Sequence, residues 1–167
     1  MSATSAWEER VAALWARFDE LPRDEAVAAM RALADAHPGT DGRAAFELAG
    51  MLDSHGYEQE AEREYERALA LGLEPEQHAQ LAVQYGSTLR NTGRLDDAIA
   101  VLEAAPAHPS TGAAPRVFLA LALHSAGRHD EAMRVVVEAI EPTLPRYNRS
   151  VRGYAAALTD APADPAA

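Results

Sequence analysis

The side chains that could carry out acid-base chemistry occur as adjacent carboxylates. Three such pairs follow a turn and precede an apolar periodic segment: Asp24 and Glu25, Asp96 and Asp97, and Asp130 and Glu131. Two carboxylates that share a cleft can act as general acid and general base. Each of these pairs, however, directly precedes a segment with helical apolar periodicity, where negative charge complements the helix dipole by about 0.3–1 kcal/mol. Because the pairs recur along the chain, we interpret them as helix starts.

Metal binding and nucleophilic catalysis are also poorly supported by the spacing of the polar residues. His124, His129 and Asp130 are candidate metal ligands, but a glycine turn separates the two histidines and no HExxH spacing occurs. Neither a strand-to-helix elbow carrying a serine nor a glycine-rich phosphate loop is present. We therefore expect no enzyme activity, no metal and no cofactor.

Composition predicts a single domain of ordinary polarity. Of the 167 residues, 48% are hydrophobic and 25% are charged, as is typical of globular domains. The absence of cysteine excludes disulfides and thiolate metal sites. A net charge of −11 argues against a nucleic-acid surface. The N-terminus lacks the pattern of a signal peptide and no apolar run is long enough to span a membrane, so we expect a cytoplasmic protein without membrane contact.

One local pattern recurs and organises most of the chain. The segments GYEQEA, GRLDDA and GRHDEA begin at Gly56, Gly93 and Gly127, at spacings of 37 and 34 residues. Each ends in a small residue five positions after its glycine, and LPRDEA near the N-terminus is a degenerate fourth copy. These small residues are Ala26, Ala61, Ala98 and Ala132. A repeat of this length predicts a pair of helices joined by a tight turn.

This pattern resembles the tetratricopeptide repeat (TPR). The strings FELAGMLDSHG, YGSTLRNTG and FLALALHSAG resemble those of short stand-alone bacterial TPR proteins. The resemblance implies an all-α protein, an α-solenoid of antiparallel helix pairs in which nine helices form a right-handed superhelix with a C-terminal capping helix. The expected single domain spans 1–159, with a degenerate repeat at 5–38, repeats at 41–74, 75–109 and 113–144, a capping helix at 145–159 and a disordered tail at 160–167.

Apolar periodicity adds expectations about packing. A first helix from Ser5 to Glu20 should turn its tryptophans inward, and Asp41 should cap the third helix. Gly86 should allow a close helix approach, and the run at 135–137 should be deeply buried. In the capping helix, which a solenoid end requires, one apolar stripe should face the last repeat. That stripe comprises Tyr147, Val151, Tyr154 and Leu158.

In TPR proteins the exposed face of each first helix lines a concave groove, and the resemblance transfers that role to polar positions here. Asp53, Arg90 and His124 occupy equivalent positions in successive repeats. We expect Arg90 to bind a carboxylate of the ligand, because its planar donors can hold a carboxylate through two bonds. The alternative is that Arg90 pairs with Asp53 inside the protein. The predicted groove comprises Arg43, Phe46, Glu47, Gly50, Asp53, Ser54, Val83, Gln84, Ser87, Arg90, Asn91, Val117, Leu121 and His124. Phe46 and Val83 stand where a clamp for chaperone tails would require lysine.

Two functions remain open from the sequence. The first is a non-enzymatic scaffold that binds a protein or peptide partner in the concave groove. The second is a structural homo-oligomer, such as a homodimer, that uses the same faces for self-association. Because one scaffold supports many ligands, the repeats predict the fold and the type of function but not the partner.

Overall fold

The computed structural model describes residues 3–160, and all regular structure in this range is helical. The predicted tail, apart from Asp160, lies outside the described residues. The nine α-helices of the described range are α1 (Ala3–Trp15), α2 (Arg23–Asp35), α3 (Arg43–Ser54), α4 (Glu58–Leu71), α5 (Pro75–Asn91), α6 (Leu95–Glu103), α7 (Ala114–Ser125), α8 (His129–Ile140) and α9 (Asn148–Ala157). A short 3₁₀ helix, Glu141–Thr143, follows α8. The prediction of an α-solenoid is confirmed.

The recurring glycines close three turns with the same geometry. Gly56, Gly93 and Gly127 have φ of 77°, 82° and 77°, a conformation that glycine adopts without the steric cost of a Cβ atom. The residue after each glycine donates its backbone N–H to the carbonyl five residues earlier, at 2.9 Å in all three turns. This bonding pattern ends a helix while satisfying its last carbonyls. The repeat therefore has a backbone cause as well as a sequence signature.

The helices pack in pairs, and each pair then packs on the next. The joints α3–α4, α5–α6 and α7–α8 are closely packed, and α5 also contacts α3 and α7. Ala61 and Ala98 are fully buried at these joints. A Cβ atom added at Gly86 would lie 2.5 Å from Cγ of Leu102, so the predicted close approach at Gly86 is confirmed. Acidic residues occupy the first turns of α2, α6 and α8, as expected for helix starts.

Two expectations about helix starts and ends need correction. The first helix ends at Trp15 and not at Glu20, because the next residues form tighter turns through bonds such as Phe18 N–H to the Trp15 carbonyl at 3.1 Å. Trp7 packs inward as expected, together with Val11 and Leu14, whereas Trp15 is only half-buried. The residue capping α3 is Gly42, although Oδ1 of Asp41 accepts the Arg43 backbone N–H at 3.0 Å.

The C-terminal end also differs from expectation. The predicted deep burial of residues 135–137 is wrong, since all three valines are only half-buried. The reason is that α8 is the second helix of the last pair. The stripe predicted for the capping helix was wrong as well, because Tyr147 and Tyr154 are each 76% exposed. Instead α9 packs through Val151 and Ala155, since the Asn148 side chain donates to the Glu141 carbonyl at 2.8 Å and sets the rotation of the helix.

Candidate partner-binding groove

A cleft of about 450 Å³ lies where α3 and α5 meet the end of α1. We call it the polar cleft. Of the predicted groove residues it contains Phe46, Glu47, Gly50, Asp53, Ser54 and Gln84, and it adds Trp15, Tyr65 and Gln80. The structure therefore brings together six residues that the sequence assigned to one groove on two neighbouring repeats.

Three of the lining residues were not in the predicted set. Trp15 was assigned to the core, yet its indole N–H donates to Oε2 of Glu47 at 2.6 Å across 32 positions of sequence. Tyr65 is fully buried although it belongs to the lining, and its hydroxyl donates to Oε1 of Gln84 at 3.1 Å. Neither contact has a local sequence signal, because each joins different helices. Gln80, one turn before Gln84 on the same face of α5, could have been found from helical spacing.

The two carboxylates of the polar cleft are partly withdrawn from water. Burial raises the pKa of Glu47, and the hydrogen bond from Trp15 opposes that rise. Burial likewise raises the pKa of Asp53, and a hydrogen bond from the Thr88 hydroxyl opposes that rise. Within residues 3–160 neither carboxylate forms an ion pair. A cation that entered the cleft would therefore meet two carboxylates whose charge is not yet neutralised.

Arg90 lies on α5 at the repeat position equivalent to Asp53, but the two do not pair. Its Nε donates to the Ser125 hydroxyl at 2.8 Å and one terminal nitrogen donates to the Asn91 side-chain oxygen at 3.4 Å. Both acceptors are neutral. Among the described residues no carboxylate lies within ion-pair distance of Arg90. The N–H donors of Arg90 that these two bonds leave could hold a carboxylate of a ligand.

Arg43 differs from Arg90 because its charge is already used within the protein. It donates to Asp41 at 2.9 Å and to Glu8 at 2.7 Å. The hydrogen bonds to Arg43 lower the pKa of Asp41 to about 2, and those to Asp41 raise the pKa of Arg43. Arg43 thus fixes the start of α3, and it does not line the polar cleft.

The remaining predicted residues are divided among other surroundings. Val83 is buried and Ser87 is half-buried on α5. Asn91 lies at the turn end, in a depression that also contains Gly56 and Arg63. Val117, Leu121 and His124 line a second depression of about 480 Å³, which we call the apolar groove; it is completed by Ala120, His129, Ala132, Met133 and Val136. The structure therefore places six of the predicted residues in the polar cleft and three in the apolar groove, and the other five lie outside both surfaces.

Other kinds of site find little support in the described range. No three histidine, aspartate or glutamate side chains of residues 3–160 converge as metal ligands would. The rings of His124 and His129 do contact each other, with centroids 4.7 Å apart. None of the helices between residues 3 and 160 has both the length and the apolar character needed to cross a bilayer.

Comparison with known proteins agrees with the fold. The model of the tetratrico peptide repeat family matches residues 42–158. The chain belongs to this family, whose repeats are generally protein-interaction modules. No curated protein matches the sequence.

Proposed function

We propose that the protein is a non-enzymatic scaffold that binds an extended segment of a protein partner across α3 and α5. The observation that carries this proposal is a charge pattern. Two half-buried carboxylates without a cation, Glu47 and Asp53, line the polar cleft on α3, and one arginine without a carboxylate, Arg90, lies on the neighbouring helix α5. A peptide with both charges would satisfy all three groups at once.

The spacing of these groups defines the expected ligand. Asp53 and Arg90 stand at equivalent positions on α3 and α5, helices that pack directly together. Neighbouring helix axes lie about 8–10 Å apart, and an extended chain advances about 3.3 Å per residue. We therefore expect a lysine or arginine in the polar cleft and, about three residues away, an aspartate, glutamate or terminal carboxylate at Arg90.

The walls of the cleft explain why the side chain at its centre should be long. Trp15 and Phe46 provide apolar surface, and the stem of a lysine or arginine can pack on such surface while its charged end reaches a carboxylate. Gln80 and Gln84 supply neutral polar groups that can bond an extended backbone. The cleft thus combines an apolar wall, polar groups and a charged end.

Selection from a random peptide library displayed on phage tests this proposal. Wild-type protein should enrich sequences with a basic and an acidic residue about three positions apart. Glu47→Gln with Asp53→Asn should lose the basic preference, and Arg90→Ala should lose the acidic one. Arg67→Ala is the matched control, since Arg67 is an exposed arginine paired with Glu64 outside the cleft. Enrichment of the same sequences by all variants would refute the proposed site.

A further inference from the structure

The apolar groove is uncovered at positions that are covered in the preceding repeat. Val83 and Ile99 of the third repeat are 8% and 5% exposed. Their equivalents 34 residues later, Val117 and Met133, are 43% and 55% exposed. The residue types are similarly apolar, so the difference comes from what packs against them. In the third repeat that element is α7, which contacts both α5 and α6.

The helix that follows the last repeat leaves this groove open. The contacts of α9 are mainly with α8 and the 3₁₀ helix. Arg152 pairs with the buried carboxylate of Glu141 at 3.2 Å, and Arg134 donates to the Thr159 hydroxyl. These bonds hold α9 on the side of α8 that carries Arg134 and Glu141. Met133 and Val136 lie on another side of α8, facing the groove.

The charge distribution indicates which occupant the groove favours. Residues 3–113 contain nine arginines and twenty acidic residues, a net charge of −11, whereas residues 114–160 contain six arginines and five acidic residues, a net charge of +1. Two copies of this chain would repel each other through their first three repeats but not through this end. Charges beside the groove are also paired internally, as in Arg116 with Glu138 at 2.7 Å. No charged partner is needed there.

The exposed apolar side chains are concentrated at the same end. Seven of the nine large hydrophobic residues that are exposed within residues 3–160 lie between Val117 and Leu158. Three of them, Val117, Leu121 and Met133, line the apolar groove together, and apolar residues gathered in one patch mark an interaction site more often than scattered residues do. On α8, Met133 and Ile140 are seven residues apart and so lie on one face, next to the groove that Val117 and Leu121 line. In a twofold dimer the same patch of each copy meets that of the other, so a ridge next to a groove could pack into the groove of the second copy.

We infer that two copies of the chain associate through their apolar grooves, with the α8 ridge of each copy packed against α7 of the other. This surface is separate from the polar cleft, so the inference does not depend on the proposed peptide ligand. The second copy would take the place that α7 takes on the third repeat, and it would cover Leu121 and Met133 in both chains.

Sedimentation analysis of the full chain tests the inference directly. Wild type should have twice the 17.9 kDa mass of one chain. Leu121→Glu and Met133→Glu should each give the single-chain mass with unchanged helical circular dichroism. Leu71→Glu is the control, because Leu71 is equally exposed, at 46%, but lies on α4, and this variant should remain a dimer. If the wild-type protein sediments with the mass of one chain at every concentration, the inference is overturned. A helix from a different protein would then be the expected occupant of the groove.

Cross-linking tests the orientation of the two copies against a clean background, because the chain has no cysteine. Chains carrying Leu121→Cys, mixed with chains carrying Met133→Cys, should join through a short bismaleimide. Chains carrying Leu71→Cys should not join those carrying Met133→Cys. A dimer that cross-links only through Leu71→Cys would place the interface elsewhere and overturn the inference.

Discussion

The second and fourth repeats are built alike, yet they present different chemistry. In the second repeat Tyr65 is fully buried, and the adjoining polar cleft contains two half-buried carboxylates. In the fourth, the equivalent position is Val136, which is half-buried in the apolar groove. The backbone turns that join the helices are the same in both repeats. The repeat backbone therefore determines where surfaces form, and the neighbouring helices determine which side chains those surfaces expose.

The largest expected contrast concerns the core position that the two repeats share. Tyr65→Ala should destabilise the protein by about 3–5 kcal/mol, as expected for removal of a buried aromatic ring. Val136→Ala, at the equivalent position, should cost clearly less, because Val136 is only half-buried. Urea unfolding followed by circular dichroism measures both free energies. Equal costs would mean that the last repeat is as tightly packed as the second.

A smaller contrast is expected where two helices cross most closely. The third repeat combines Gly86 with Leu102, and the fourth combines Ala120 with Val136 at equivalent positions. Gly86→Ala should destabilise by about 1–3 kcal/mol, as overpacking of a core does, because the new methyl group would lie within 3 Å of three Leu102 carbons. Adding Leu102→Val should recover part of the loss, since it reproduces the pair of the fourth repeat.

Thermal melting of the single and double variants measures this recovery. A double variant that melts below Gly86→Ala alone would contradict the assigned contact between the two residues. Ala98→Gly on the facing helix is a useful control, because it removes volume at the same joint and should not rescue Gly86→Ala.

The positions that were predicted correctly from the sequence have causes within a few residues of chain. Gly56 and Gly93 were identifiable because a positive φ at a helix end favours glycine strongly. Ala61 was identifiable because a close crossing needs a small side chain. By contrast, the bond from Trp15 to Glu47 joins residues 32 positions apart, and helical periodicity contains no information about it.

The prediction of which side of the capping helix faces inward was wrong for a related reason. Its stripe of Tyr147 and Tyr154 has correct helical spacing, yet Tyr147 adopts a φ of 72° just before the helix, and Asn148 bonds the Glu141 carbonyl. These two features rotate α9 so that Ala155 faces inward. The sequence also could not decide whether Asp53 and Arg90 form a pair, and in the structure they do not. Equivalent repeat positions do not determine which neighbour a long arginine side chain bonds.

The smallest expected contrast is in pH dependence. Because burial raises the pKa of Glu47, the folded protein binds this proton more tightly than the unfolded chain. Stability should therefore fall as pH rises from below the ordinary glutamate pKa through the raised value. Glu47→Gln should thus be more stable than wild type at neutral pH, and this gain in stability should vanish in acid. The gain should be smaller than the losses expected for Tyr65→Ala and Gly86→Ala.

Glu131 in the fourth repeat should show the opposite sign. The hydrogen bond from Arg128 lowers the pKa of Glu131, so its contribution is present above the ordinary glutamate pKa and is lost as pH falls. The side chain of Glu131 is 45% accessible to solvent, and the effect of Glu131→Gln should be slight because water and salt screen such pairs. Urea unfolding at several pH values measures both variants. A loss of stability for Glu47→Gln at neutral pH would contradict this expectation. It would show that the hydrogen bond from Trp15 outweighs the cost of burying the Glu47 carboxylate.

The assignment of the polar cleft and Arg90 as the partner-binding site is tested by a residue-resolved NMR titration. The ligand is a selected peptide that carries one basic and one acidic residue. We predict that amide shifts concentrate around Gly50, Asp53, Gln84 and Arg90, and that Arg90→Ala removes the shifts on α5 while leaving those on α3. Shifts confined to the apolar groove of residues 117–136, or shifts unchanged by Arg90→Ala, would contradict the assignment of the polar cleft as the partner-binding site.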